Sequence, residues 1–384
     1  MADLLPCVAE QSLVDHHCHG VLRRDADQAT LESMLTEGDS WPGGSVFDSQ
    51  AGFMFLRLCP PVIGLPPHAE LPDYVARRAE LGADEVSKRF LALAGTSVMC
   101  VDTGYEPEPI TSPAELGDLA GAVAHEIVRL ERVAEDVAAA GVGAGAFAGA
   151  VRSALATRTA GAAGVKSIAA YRTGLGLLGE RPSEAEVTAA AGRWLASVAS
   201  QAGAGQPDPP RLADETLQRF LVWCGVDLRL PVQFHVGYGD SDVDLDRCNP
   251  LLLTPLLRAI APTGVPVMLL HNYPYHREAG YLAQVFPHVY VDAGLATHNL
   301  GPRAPALLAE ALELAPFGKF LYSSDAFGLP ELYYLAAVLF RSALSEFLRS
   351  GIEEDLFTER AAARVAGMLS SGNAKRAYQL GSEM

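Results

Sequence analysis

An α/β chain closed as a (β/α)8 TIM barrel is the fold that three observations predict. Eight short apolar runs recur along the 384 residues, with helix-bearing segments between them. Several of these runs end in His or Asp, and a barrel brings all its C-terminal strand ends to one mouth. A chain that is 49% hydrophobic can bury the large core this needs, and barrels of this length form one domain. A single domain over 1–384 is therefore expected, with helical insertions after strands one and four and a helical C-terminus.

The first run, residues 13–19, carries His16, His17 and His19. In a strand, side chains two apart share a face, which sets His17 and His19 side by side about 6–7 Å apart. That suits two nitrogen ligands on one ion, while His16 and Cys18 alternate away from it. Residues 20–95 follow, with a helix-like stretch at 24–37, a turn at Trp41-Pro42-Gly43-Gly44, and helices over 71–94. So long a connection reads either as a cover over a site or as a packed structural excursion. The second run, 96–105, breaks at Asp102 to Gly104. The third, 125–131, fits a strand with Arg129 and Glu131 lining a pocket, or a helix with both on a solvated face. The fourth, 165–172, encloses Lys166, a residue costly in an apolar strand unless paired or modified.

Helices over 183–202 and 213–224 follow, joined by a proline-rich loop at 206–210. From residue 230 the rhythm is regular. Runs at 230–237, 265–271, 288–293 and 319–325 alternate with helices at 250–261, 277–286 and 304–315. His235, His271 and Asp325 stand at run ends, and 331–380 reads as helix with breaks near Gly351 and Gly372.

Charge and cysteine usage narrow the partners. A net charge of −17 disfavours non-specific binding to nucleic acid or anionic membranes. The N-terminus lacks a basic stretch before a long apolar one, and no apolar run reaches the ~20 residues of a membrane span. Six cysteines without CxxC spacing read as reduced thiols of a cytoplasmic protein. The expected partner is a small-molecule substrate, with a homo-oligomer left open.

Strands one, five, six and eight thus end in His17 and His19, His235, His271 and Asp325, all ligand types for zinc or a similar ion. The constellation resembles the amidohydrolase superfamily over nearly the whole chain. The run Gly372-Asn373-Ala374-Lys375-Arg376-Ala377-Tyr378 looks like that family's closing helix. Residues 165–172, 235–240, 271–275 and 324–326 look like the branch fused to glutamine-synthetase-like domains in some fungal and plant nodulin-type proteins. This chain would be its stand-alone form.

The resemblance implies that His17, His19 and His235 bind a divalent metal, with Asp325 as a further ligand or close neighbour and as proton shuttle. Zinc comes first, with manganese or iron as alternatives, and one or two ions. His271 would polarise a substrate carbonyl or bind a second metal. Lys166 would either bridge two metals as a carbamylated lysine or stay an unmodified structural or substrate-contacting group. Arg172, Tyr171, Asp240 and His276 are candidate substrate contacts. Arg172 could grip a carboxylate through two parallel hydrogen bonds, or form a salt bridge at the rim. His16, His68, His125, His288 and His298 read as structural or surface residues.

Two enzymatic functions follow. One is metal-dependent hydrolysis of a C–N bond in a small amide, a γ-glutamyl compound among them. The other is metal-dependent decarboxylation of a small carboxylic acid. A non-catalytic scaffold would not need the full ligand set.

Overall fold

The computed structural model describes residues 4–39, 43–203 and 211–381, with side chains to residue 200 and from 211. Seven parallel strands pair in chain order: β1 (Leu13–Cys18), β2 (Thr96–Asp102), β3 (Val123–Arg129), β4 (Gly164–Ser167), β5 (Val232–Val236), β6 (Val267–His271) and β7 (Val289–Val291). Every residue of β1, β4, β5 and β6 is buried, as expected for parallel strands covered on both faces. The architecture is of the TIM-barrel type.

The eighth expected strand, 319–325, is not a regular strand, yet it closes the sheet. Leu321 N–H donates to the Val291 carbonyl at 2.9 Å, and His16 N–H donates to the Tyr322 carbonyl at 3.2 Å. Beyond these, Asp325 N–H reaches the His17 carbonyl at 3.0 Å and His19 N–H the Ala326 carbonyl at 2.9 Å. Two features pull the backbone off a continuous ladder. Asp325 sits in the left-handed region at φ 52°, and Ser324 is drawn onto the Asp15 carboxylate by its N–H (2.9 Å) and Oγ (2.5 Å).

Two other runs differ from expectation at their ends. The third is strand to Arg129 and helix from Leu130 (Leu130–Ala139). The fourth stops at Ser167, because the buried Glu131 carboxylate accepts from Ser167 Oγ (2.8 Å) and Ile168 N–H (3.0 Å). A 3₁₀ turn over Ala169–Tyr171 follows, so Lys166 is the last but one residue of its strand and faces the mouth end.

Between β1 and β2 run helices Gln28–Met34, Gln50–Leu58, Leu71–Leu81 and Ala83–Ala94. Asp27 and Ser49 cap the first two by accepting from Thr30 and Gly52 N–H. Between β4 and β5 lie Glu184–Gly203 and Glu215–Asp227. Trp41, Pro42 and the loop 206–210 fall outside the described residues.

After the closing segment come helices Pro330–Glu353, Glu359–Gly367 and Asn373–Ala377. The first break, expected near Gly351, falls after Glu353. Gly351 is required within the helix because a Cβ there would lie 2.2 Å from the Phe357 ring. Gly372 makes no break; a π-helical turn, Met368–Gly372, carries the chain on. No described helix is long and apolar enough to cross a membrane, and all six cysteines are free.

Candidate metal centre and active site

The end of β1 presents His17 and His19 to the barrel mouth, and the closing segment presents Asp325 to both. Asp325 Oδ1 lies 3.0 Å from His17 Nε2 and 3.6 Å from His19 Nε2, while its Oδ2 lies 3.4 Å from His271 Nδ1. One ligand atom from each of His17, His19 and Asp325 falls within 4.8 Å of the others. The hydrogen bonds from Ser324 to Asp15 hold Asp325 against β1. Asp325 and His271 are both left-handed, φ 52° and 68°, a conformation non-glycine residues keep only when their surroundings impose it.

Burial pushes the Asp325 carboxyl up, but His271, His17 and His19 outweigh it and hold it well below the usual range. Burial, with the Lys166 charge, lowers His17 to about 3, and burial also lowers His235 and His271. These imidazoles are therefore neutral at pH 7, the form in which histidine binds a metal. His271 is 1% exposed and neither of its ring nitrogens has a hydrogen-bond partner. Buried polar atoms are costly when unpaired. A nitrogen-rich set beside one carboxylate, with orphaned lone pairs, fits a divalent ion.

The other expected residues are placed unevenly. His235 lines the cavity with its ring centroid 4.7 Å from that of His271, but its Nε2 lies 3.1 Å from the Tyr238 carbonyl, outside the His17–His19–Asp325 group. Lys166 Nζ lies 2.9 Å from His17 Nε2 and 3.2 Å from Asp102 Oδ2. Burial lowers its pKa, and nearby Arg129 adds to this against the opposing pull of Asp102. Tyr171 packs on His235, ring centroids 4.5 Å apart, and Asp240 lines the same cavity. Arg172 borders it too, engaged with Glu135 at 3.1 Å as a rim salt bridge.

His276 is a correction. It opens helix His276–Val285 and turns to the neighbouring helix Ala304–Ala311, its Nε2 2.9 Å from Glu310 Oε2, and it does not border the cavity. His298 corrects the other way: it is 3% exposed and lines the cavity. It lies on helix Gly294–Asn299, whose short turn after β7 aims it inward, and no strand-end rule flags it. Arg129, one of two readings from sequence, also borders the cavity, bound to the buried Asp102 at 2.6 Å.

The family profile described as Amidohydrolase matches residues 98–380. The chain belongs to the amidohydrolase family. As a member it is an enzyme of the metal-dependent amidohydrolase type. The His17–His19 arm precedes the matched stretch, so its place at the site rests on the geometry above. A Lactobacillus casei protein taken for a metal-dependent hydrolase is 32% identical, with a TM-score of 0.84 over 97% of this chain and 96% of that one. Protein fluG of Emericella nidulans is 34% identical over 227 residues, 56% of this chain. That match takes in only 25% of fluG. A uronate isomerase of Bacillus halodurans, at 15% identity and TM-score 0.64, shares the fold alone.

Proposed function

We propose that this amidohydrolase hydrolyses a C–N bond in a small-molecule amide, with zinc as its metal. The observation that carries the reading is the convergence of His17, His19 and Asp325 beside His271, whose ring nitrogens make no hydrogen bond among the described residues. A γ-glutamyl amide is the leading substrate, on the resemblance to the branch fused to glutamine-synthetase-like domains. The cavity, about 850 Å³, suits a small molecule.

His17, His19 and Asp325 would hold the ion, with His235 and Lys166 as the neighbours through which a second could be held. A divalent ion there would supply Lewis acidity, making a water acidic enough to give up a proton near pH 7. Asp325, kept ionised by its imidazoles, takes a proton from the attacking water and returns it to the leaving nitrogen. His271 hydrogen-bonds the substrate carbonyl oxygen with a ring nitrogen that has no protein partner. Lys166 and Arg129, both on Asp102, keep positive charge beside the site.

A second reading, decarboxylation at one metal, is favoured by one feature. Among the described residues only one three-residue ligand group gathers, and Lys166 is engaged with Asp102 at 3.2 Å. Assay of metal-loaded protein separates the two. Ammonia or amine released from an amide panel supports hydrolysis, and carbon dioxide from an acid panel supports decarboxylation. Neither product, with metal bound, removes both. Less than one equivalent of metal after growth in zinc or manganese supports a scaffold instead.

A further inference from the structure

The charges around the cavity are unevenly satisfied. Among the described residues four cations border it, and three carboxylates are already engaged with them. Arg129 and Lys166 share Asp102 at 2.6 and 3.2 Å, Arg172 holds Glu135 at 3.1 Å, and Arg211 holds Asp242 at 2.7 Å. Glu37 and Asp240 line the same cavity, and neither forms an ion pair among the described residues. Glu37 makes no hydrogen bond there, and Asp240 accepts one, from the Asp242 N–H at 2.9 Å.

A third group adds an independent sign of a missing ligand. His298 is 3% exposed and borders the cavity, and its Nδ1 has no hydrogen-bond partner among the described residues. Burial lowers its pKa to about 4, so at pH 7 it is neutral and offers a lone pair. Burial, aided by the negative charges of Asp325 and Asp240 and only partly offset by Lys166, also pushes Glu37 up to about 7.

We propose that the cavity binds a substrate carrying an ammonium group, seated on the carboxylates of Glu37 and Asp240 with the His298 imidazole as a neutral acceptor. The inference deepens the hydrolase reading and rests on it for the identity of the reaction. An ammonium has three N–H donors and no acceptor, which suits two carboxylates without an ion-pair partner and a neutral imidazole nitrogen. A second metal ion is the poorer occupant: among the described residues Glu37, Asp240 and His298 form no group of ligand atoms within 4.8 Å of one another, a spacing that the ~3 Å contacts of an ammonium span and the shorter bonds of a metal do not. Glu37 follows helix Gln28–Met34, so the long β1–β2 connection supplies one of the charge-reading residues.

The test is calorimetric titration of the metal-loaded full chain with ligand pairs that differ by one amine. Suitable pairs are glutamate with glutarate, glutamine with glutaramate, and 4-aminobutanamide with butanamide. At least one amine-bearing member is expected to bind about tenfold tighter than its partner, the scale of one charge-assisted hydrogen bond. Glu37→Gln and Asp240→Asn are each expected to cut that ratio to about threefold or less. His298→Phe, which removes the acceptor and keeps a ring, is the third variant should either of the others fail to fold.

Equal affinities within every pair overturn the proposal, as does a ratio unaltered in the folded variants. Loss of bound metal in Glu37→Gln also overturns it, since the carboxylate would then serve an ion. Binding needs no turnover, so the two readings fail separately. An amine preference without amide cleavage keeps the ammonium subsite and removes hydrolysis. Cleavage without preference does the reverse.

Discussion

Asp292 does not border the cavity, yet it holds a residue that does. Its Oδ1 accepts from His271 N–H at 2.6 Å and Gly294 N–H at 3.1 Å, and its Oδ2 lies 2.7 Å from His16 Nε2. Tyr378 Oη meets the other His16 nitrogen at 3.0 Å and accepts from Gln233 Nε2 at 2.8 Å. This buried network fixes His271 in its left-handed conformation. Asp292→Asn is expected to lower kcat about 10–100-fold with KM little changed, as for other groups that orient a site residue through a hydrogen bond. A kcat at the wild-type level would show that His271 is held by packing alone. His17→Ala and Asp325→Asn, which remove site groups outright, are expected to abolish turnover while circular dichroism stays native. Residual turnover near wild type in either variant would refute the site.

At this scale the sequence was legible where a local period applies. His17 and His19 share a face because strand side chains alternate, and that needs no knowledge of the rest of the fold. Glu37 and His298 were illegible because each reaches the cavity from a connection, where no period aims a side chain.

Among the elements, the long β1–β2 connection is tied to the barrel by a buried charge. Arg78 of helix Leu71–Leu81 meets Glu331 of helix Pro330–Glu353, Nε to Oε1 at 2.8 Å, and Tyr74 Oη donates to the same oxygen at 2.8 Å. Arg78 and Glu331 are 2% and 0% exposed, so removing one strands the other. Arg78→Met is expected to cost about 3–5 kcal/mol in urea unfolding, and Arg78→Met with Glu331→Leu to recover much of it. A single-variant cost below about 1 kcal/mol would place the stability of this connection in its apolar contacts. The sequence reads these stretches as helices from their apolar spacing. It does not pair Arg78 with Glu331, because the partners are 253 residues apart.

For the whole molecule, buried neutral histidines set an acid limit. Burial depresses His298 to about 4, and burial with the Lys319 charge does the same for His288. The unfolded chain protonates near pH 6.5, so between about 6.5 and 4 it binds more protons than the folded one. Glu37 and Asp15, raised to about 7, take up protons in the folded chain over the same window and oppose this. The share of the histidines is therefore read as a difference: metal-free wild type is expected to lose more melting temperature between about pH 6.5 and 4.5 than a double His288→Gln, His298→Gln variant. Equal losses in the two proteins would contradict it.

By itself the sequence determined the order of strands and helices, the barrel they form and the run ends that carry histidine and aspartate. Those properties follow from local periods of two and 3.6 residues, each read within one element. Only the tertiary structure decided that the eighth run closes the sheet without being a strand, and that Lys166 reaches His17 across 149 residues. It also decided that His276 faces Glu310, while Glu37, Asp240 and His298 share one cavity. The reason is physical: a side chain's partner depends on what other elements bring within about 3 Å of it, and no period along the chain encodes that distance.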